Sequence, residues 1–339
     1  MSGISEVQRL SKTLKKEKVD RPPLICPGGM MNAAIVDIME ATGHTLPDAH
    51  HDAALMANLA LDVHEQTGFE NFGLPFCMTI EAEALGSTVD FGSLTSEPKI
   101  AKEKYASVSD IHFLPDGAIL KEKRAGALIN AISILSKNHP DIPAIATLTG
   151  PISLAASIVS PMQFLKELRK NPEGVHKALD YVTNQLISYA KEIAANGASA
   201  IAIADPTATG EILGPKLFEE YAVFYLNKLM SAISTCKLPV ILHICGNVKP
   251  VQRMFPTLVQ DALSVDAMVS LSELKDAYPK LTTMGNLSTY MLEFSNPSKI
   301  ETAAAQLLKN NIDIIAPACG LSTSTPLENI KAFTGVVKG

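Results

Sequence analysis

Leu238-Pro-Val-Ile-Leu-His-Ile-Cys-Gly-Asn247 is apolar through Leu242 and then turns to residues that carry chemistry. A run of this kind, without polar alternation, reads as a strand buried on both faces, the sort found in parallel α/β sheets. Side chains alternate along a strand, so His243 and Cys245 share one face. A second apolar run, Ile312-Asp-Ile-Ile-Ala-Pro-Ala-Cys-Gly320, also ends on a cysteine, Cys319. One imidazole and two thiolates form a donor set that suits zinc, with a fourth position left for a substrate. The same three residues also fit a core histidine beside two buried free cysteines, and a short motif alone does not decide between these readings.

Further strands are expected at residues 23–27, 70–77, 144–149, 198–204, 240–245, 267–271, 282–285 and 312–316. Helical patterns lie between them, at 54–67, 126–137, 172–196, 216–234 and 298–309. About eight β/α repeats predict an α/β fold, a (β/α)8 TIM barrel. A doubly wound sheet is the alternative, although no Gly-x-Gly-x-x-Gly follows an early strand. The chain is expected to form one domain over 1–339, with 1–20 as an N-terminal helical cap and the less regular 86–116 as an inserted excursion. Most of the expected strands end on a polar or turn signal, and active sites of such barrels occupy that C-terminal rim. Both halves of the His243, Cys245 and Cys319 set fall there.

Composition narrows the function. The 339 residues are 47% apolar, contain no Trp, and carry a net charge of −6. Neither nucleic-acid binding nor base stacking is expected of such a chain. Five scattered cysteines do not resemble a disulfide framework, so a reducing, cytoplasmic setting is expected. The charged N-terminal segment lacks a signal-peptide core, and the uncharged stretch 142–165 is broken by Gly150-Pro151 and Pro161, so no membrane span is expected.

Several segments together resemble the uroporphyrinogen decarboxylase superfamily: Val19-Asp-Arg-Pro-Pro-Leu24, Glu83-Ala-Leu-Gly86, Thr149-Gly-Pro151, His243-Ile-Cys-Gly-Asn247, Gly285-Asn-Leu287 and Thr325-Pro-Leu-Glu-Asn329. Within it, Ile203-Ala-Asp-Pro206, Leu242-His-Ile-Cys-Gly-Asn247 and Ala316-Pro-Ala-Cys-Gly320 are similar to the methylcobamide:coenzyme M methyltransferase branch. That resemblance implies a (β/α)8 barrel with zinc on His243, Cys245 and Cys319. It further implies coenzyme M (2-mercaptoethanesulfonate) as the thiol acceptor and a methyl-Co(III) corrinoid as donor. This chain has no corrinoid motif of its own: Asp48-Ala-His50 begins like Asp-x-His-x-x-Gly, but position 53 is Ala. The corrinoid is therefore expected on a partner protein.

Departures from the decarboxylase pattern are equally informative. Where decarboxylases carry an Arg-rich clamp, this chain reads Cys26-Pro-Gly-Gly-Met-Met-Asn32, without a cation. Their key aspartate falls on Cys77, and their C-terminal histidine motif is replaced by Ala318-Cys319-Gly320. A macrocycle bearing several carboxylates needs guanidinium forks, so porphyrinogen decarboxylation is disfavoured. A corrinoid-linked transferase using another donor or acceptor, such as a methoxylated or methylthio compound, and a metal- or corrinoid-binding barrel without turnover remain open.

Secondary candidates are weighed against ordinary roles. Asp205 is expected as a partner of His243 or a transient ligand, or else as the anchor of the loop before Pro206. Asn247, Asn286 and Glu83 are expected on the rim as cofactor-binding residues, although for Glu83 a helix-start carboxylate is the plainer account, as it is for Glu81. Cys26 and Cys77 read as small buried hydrophobes, Cys236 as structural and Lys249 as a surface lysine within reach of a sulfonate. His44, His50, His51 and His64 are expected to be solvated or to line a loop, with Asp52 capping the helix after them.

Overall fold

The computed structural model describes residues 3–339. Seven apolar strands lie parallel in chain order: β1 (Phe72–Leu74), β4 (Ala144–Thr149), β5 (Ala200–Ala204), β6 (Val240–Ile244), β7 (Ala262–Val265), β8 (Thr283–Leu287) and β9 (Ile314–Pro317). The eighth stave is the segment around Leu24. Ile25 N–H donates to the Ile315 carbonyl (2.9 Å), and Ile315 N–H donates to that of Pro23 (2.8 Å). On its other side, Glu70 N–H donates to the Leu24 carbonyl (2.8 Å). Asn71 stands in for a ladder, its side chain bonding both the N–H and the carbonyl of Cys26. Pro22, Pro23 and Pro27 lack N–H groups, which confines this stave to a single bridge, Leu24 to Ile315. The sheet thereby curls into a TIM-like α/β barrel.

Period-two alternation fills the interior. Ile25, Ile145, Ala200, Ala202, Ile241, Ala262, Met284, Ile314 and Ala316 form one buried cluster, joined at the base by Leu10 and Leu14. Those two leucines belong to the N-terminal helix Glu6–Leu14, which Ser5 and Gln8 close with a reciprocal capping box. Arg9 fastens that helix to the barrel through Asp20 and Glu70, both at 2.9 Å. Within residues 86–116 lies an antiparallel hairpin of β2 (Thr88–Asp90) and β3 (Lys99–Lys102). Phe91 of this hairpin packs edge-on against His51 and sits 5.1 Å from the Arg124 guanidinium.

One expected strand is misplaced. Residues 267–271 form a turn into the helix Leu271–Ala277, and the strand is Ala262–Val265, a few residues earlier. The inward Ser264 interrupts what would otherwise be a legible apolar run, and Asp266 ends it. Of the histidines near residue 50, His50 differs from expectation, whereas His51 is exposed as expected. His50 is fully buried with neither ring nitrogen hydrogen-bonded, and burial pushes its pKa down to about 3. His44 pairs with Asp62 at 2.7 Å. Asp52 caps the helix Ala53–Thr67 as expected, accepting from Leu55 N–H at 2.8 Å. Among the described residues no helix is long and apolar enough to cross a membrane.

At the base, Glu6 Oε2 is buried without a hydrogen bond, 3.7 Å from His64 Nε2, and Lys338 Nζ is 4.0 Å from Oε1. Burial, reinforced by Glu70, pushes Glu6 up to about 7. A carboxyl raised in the folded state stabilises the fold at low pH, and that contribution is lost as pH climbs through the folded value. Glu6→Gln should therefore flatten the decline in melting temperature between about pH 5 and pH 8 and be the more stable protein at the upper end. Thermal melts of the two proteins across that range check this, and parallel profiles would contradict it.

Candidate metal centre

Two strands bring the site together. Ile241 faces the interior of β6, so His243, two residues on, faces inward as well, and Cys245 follows on the same side just past the strand end. Gly246 turns the chain immediately afterwards with φ +69°, a conformation costly for any side-chain-bearing residue. Cys319 lies just beyond β9, three strands round the barrel from β6. Curvature closes that gap. His243 Nε2 is 3.0 Å from Cys245 Sγ, Cys245 Sγ is 3.6 Å from Cys319 Sγ, and one donor atom from each residue lies within 4.8 Å of the others.

These donors fit a metal. Tetrahedral zinc, bonded to nitrogen and sulfur at about 2.0 to 2.3 Å, spaces its ligands by roughly 3.5 to 3.8 Å. The 3.6 Å between the two sulfurs matches this, and the 3.0 Å between His243 and Cys245 would open by about half an ångström on binding. His243 is buried, whereas both cysteines are only partly so. The cluster therefore has a wall on its protein side and an approach from the rim. The two thiols influence each other strongly. Cys319 is held well below the usual thiol range by the hydrogen bond from Cys245, helped by His243. The same contact, with burial, pushes Cys245 far above that range. One thiolate thus opposes the next, an opposition that a bound dication would remove.

The surroundings come from residues the sequence did not single out. Ser264 Oγ is 2.9 Å from His243 Nδ1, and both residues are buried. Asp266 accepts from Gly246 N–H at 3.3 Å, bracing the turn after Cys245. Met30 projects from the turn in which Gly28 and Met31 exchange backbone bonds, and its Sδ comes within 4.0 Å of Cys245 Sγ. The stretch that lacks cations thus contributes a thioether. Ser264 lies on β7 and Asp266 just beyond it, where the sequence pattern carries no continuous apolar run to mark the strand.

Other expected site residues serve the framework instead. Asp205 is not bonded to the imidazole. Its buried carboxylate accepts from Ile152 N–H (3.0 Å), Ser153 N–H (2.8 Å) and Ser153 Oγ–H (2.6 Å), capping the helix Pro151–Ile158. Burial raises Asp205 to about 6 despite those three donors. Gly150 permits the contact, because a Cβ there would meet the Asp205 side chain at 2.4 Å. From the opposite side Glu81 accepts from Thr149 N–H (2.9 Å) and Oγ1–H (3.1 Å), so two buried carboxylates grip the Thr149-Gly150-Pro151 corner.

Glu83, expected on the rim, pairs with the buried Arg124 at 2.6 Å. Arg124 also reaches Thr79 and Cys77, the latter at 2.9 Å. Asn286 donates to the carbonyls of Asp266 and Val269, both at 2.8 Å, and so holds the loop after β7. Asn247 accepts from Lys249 N–H at 3.0 Å, closing its own turn, and Lys249 is exposed. Cys26 is buried and donates to the Met31 carbonyl, and Cys236 lies apart from the cluster near a helix end.

Comparison with known proteins agrees with this architecture. The family model described as uroporphyrinogen decarboxylase (URO-D) matches residues 5–339. The methylcobamide:CoM methyltransferase MtbA of Methanosarcina acetivorans is 33% identical, with 100% of this chain and 99% of the relative covered. MtaA of Methanosarcina barkeri, of the same description, is 32% identical over 98% and 97%. Among solved structures, a methyltransferase from Methanosarcina mazei superposes with a TM-score of 0.91 at 32% identity, covering 99% of this chain and 98% of its own. From the closed barrel, the segments quoted above and these full-length matches, the chain belongs to the uroporphyrinogen decarboxylase (URO-D) family.

Proposed function

We propose that this protein transfers a methyl group from a methylated corrinoid, carried on a separate protein, to the thiol of coenzyme M, with zinc held by His243, Cys245 and Cys319. The observation that carries the proposal is the meeting of three soft donors within 4.8 Å at a barrel rim. End-to-end similarity to methylcobamide:CoM methyltransferases supports the choice of reaction. Bound zinc would supply Lewis acidity at an open coordination position, favouring the thiolate form of an acceptor at neutral pH.

The chemistry balances simply. The acceptor sulfur forms a bond to the methyl carbon as the cobalt–carbon bond breaks. The electron pair returns to cobalt, Co(III) becoming Co(I), and the thiol proton leaves to solvent. The residues of this chain set the stage for that exchange. His243, Cys245 and Cys319 converge at a point reached from the rim, and Met30 lines it with a polarisable thioether in place of a cation. A corrinoid bound within this chain is disfavoured, because His50 of the partial Asp-x-His segment is fully buried.

Delivery by a partner has support on the rim itself. Met268 lies in the connection after β7, and Tyr290 and Phe294 lie on the helix Thr289–Phe294 after β8. They are 65%, 73% and 65% exposed, and the two aromatic rings pack at a tilt of 51° with their centroids 4.8 Å apart. Porphyrinogen decarboxylation finds no such support. The Cys26–Asn32 turn bears no cation, and Arg124 is engaged by Glu83, Thr79 and Cys77.

Purified protein should carry about one equivalent of zinc, falling below about half in Cys245→Ser and in Cys319→Ser. Metal analysis unchanged by either substitution would sink the ligand assignment. With free methylcobalamin the protein should methylate coenzyme M in preference to other thiols, and absence of any thiol methylation by zinc-loaded protein would refute the reaction. The double substitution Tyr290→Ser/Phe294→Ser should raise KM for a protein-bound methylcorrinoid by on the order of tenfold, as loss of interface aromatics does. It should leave turnover of free methylcobalamin unaltered, and equal KM values would count against this sector as the contact surface.

A further inference from the structure

Resting on the zinc reading above, we infer that Ser264 is a positioning residue that sets the tautomer and plane of the His243 ring. The two residues are partners in the parallel register of β6 and β7, so the backbone itself aligns them. His243 Nε2 faces Cys245 Sγ at 3.0 Å, and Nδ1 faces Ser264 Oγ at 2.9 Å. A ring that offers its Nε2 lone pair to a metal must carry its proton on Nδ1, so the serine oxygen is the acceptor. Metal-bound imidazoles commonly hand this second hydrogen bond to a carboxylate or a backbone carbonyl. Here the acceptor is a neutral hydroxyl, fully buried.

The strand end bearing Ser264 acts as a bracket. Ser264 holds the His243 ring, and Asp266, two residues on, holds Gly246 N–H next to the second ligand. Asn286 of β8 ties the Asp266 and Val269 carbonyls, which keeps the bracket from moving away. His243 of β6 and the turn just after Cys245 are thus braced by Ser264 of β7 and by Asp266 just beyond that strand. A hydroxyl acceptor adds no further negative charge to a site already bearing two thiolates. That preserves the neutrality of a dication with one imidazole and two thiolates.

The test uses the full chain as wild type, Ser264→Ala and Ser264→Thr, with two readouts. In metal-free protein at about pH 8, above the ordinary imidazole range, nitrogen-15 spectra of labelled histidine report the His243 tautomer. Wild type and Ser264→Thr should show the Nδ1–H form, and Ser264→Ala should show a mixture. Zinc affinity, measured by competition with a chromophoric chelator, should fall on the order of ten- to a hundredfold in Ser264→Ala and stay near wild type in Ser264→Thr. An unchanged tautomer together with unchanged zinc affinity in Ser264→Ala would overturn the inference while leaving the zinc reading intact. A wild type with the Nδ1–H tautomer that takes up no zinc would instead defeat the metal role, and with it the function assigned to the serine. Should Ser264→Thr prove unable to fold in so tight a site, the tautomer and affinity of Ser264→Ala still decide the matter.

Discussion

Curvature of the parallel sheet is what the rest of this molecule depends on. β6 and β9 are separated by two intervening strands, and in a flat sheet at the usual strand spacing of about 4.8 Å their ends would lie roughly 14 Å apart. Closure through the proline-rich Leu24 stave bends the rim until Cys319 comes within 3.6 Å of Cys245. The interior makes that curvature possible by alternating bulky residues such as Ile145, Ile241 and Ile314 with alanines at 200, 202, 262 and 316. Leu10 and Leu14 seal the opposite end. The barrel therefore has a packed base and a chemically equipped mouth.

At that mouth the charges are arranged by subtraction as much as by addition. Arg124 is buried beneath Phe91 and engaged by Glu83, Thr79 and Cys77. Glu81 and Asp205 are enclosed and occupied with the backbone around Gly150. Around the cluster stand the Ser264 hydroxyl, the Met30 thioether, Asp266 turned toward a backbone N–H, and Glu97, whose carboxyl is raised by burial and by the nearby Cys319. Such a lining favours soft, weakly charged chemistry over the recognition of a many-carboxylate ring.

Some of this was legible in the chain and some was not. Continuous apolar runs marked β4, β5, β6 and β9 because strands buried on both faces show no polar alternation. β7 carries no such mark because its inward Ser264 breaks the run, and that serine is the residue that meets His243. Asp205, Glu83 and Asn286 looked like site residues because they stand at strand ends or on the short helix beyond them. Their partners, Ile152 and Ser153, Arg124, and the loop after β7, lie far off in sequence or on backbone atoms, where no motif can point to them. His50 appeared polar and exposed in a run of His and Asp, yet packing enclosed it.

From its residues alone, then, this protein determined its strand pattern, its inward-facing His-x-Cys pair and the presence of a distant third thiol, because period and side-chain chemistry are local properties. Only the tertiary structure decided which carboxylates cap helices, which hydroxyl holds the imidazole, and how near the third thiol comes. Those outcomes depend on barrel closure and on competition between side chains for buried donors, and both are settled in three dimensions.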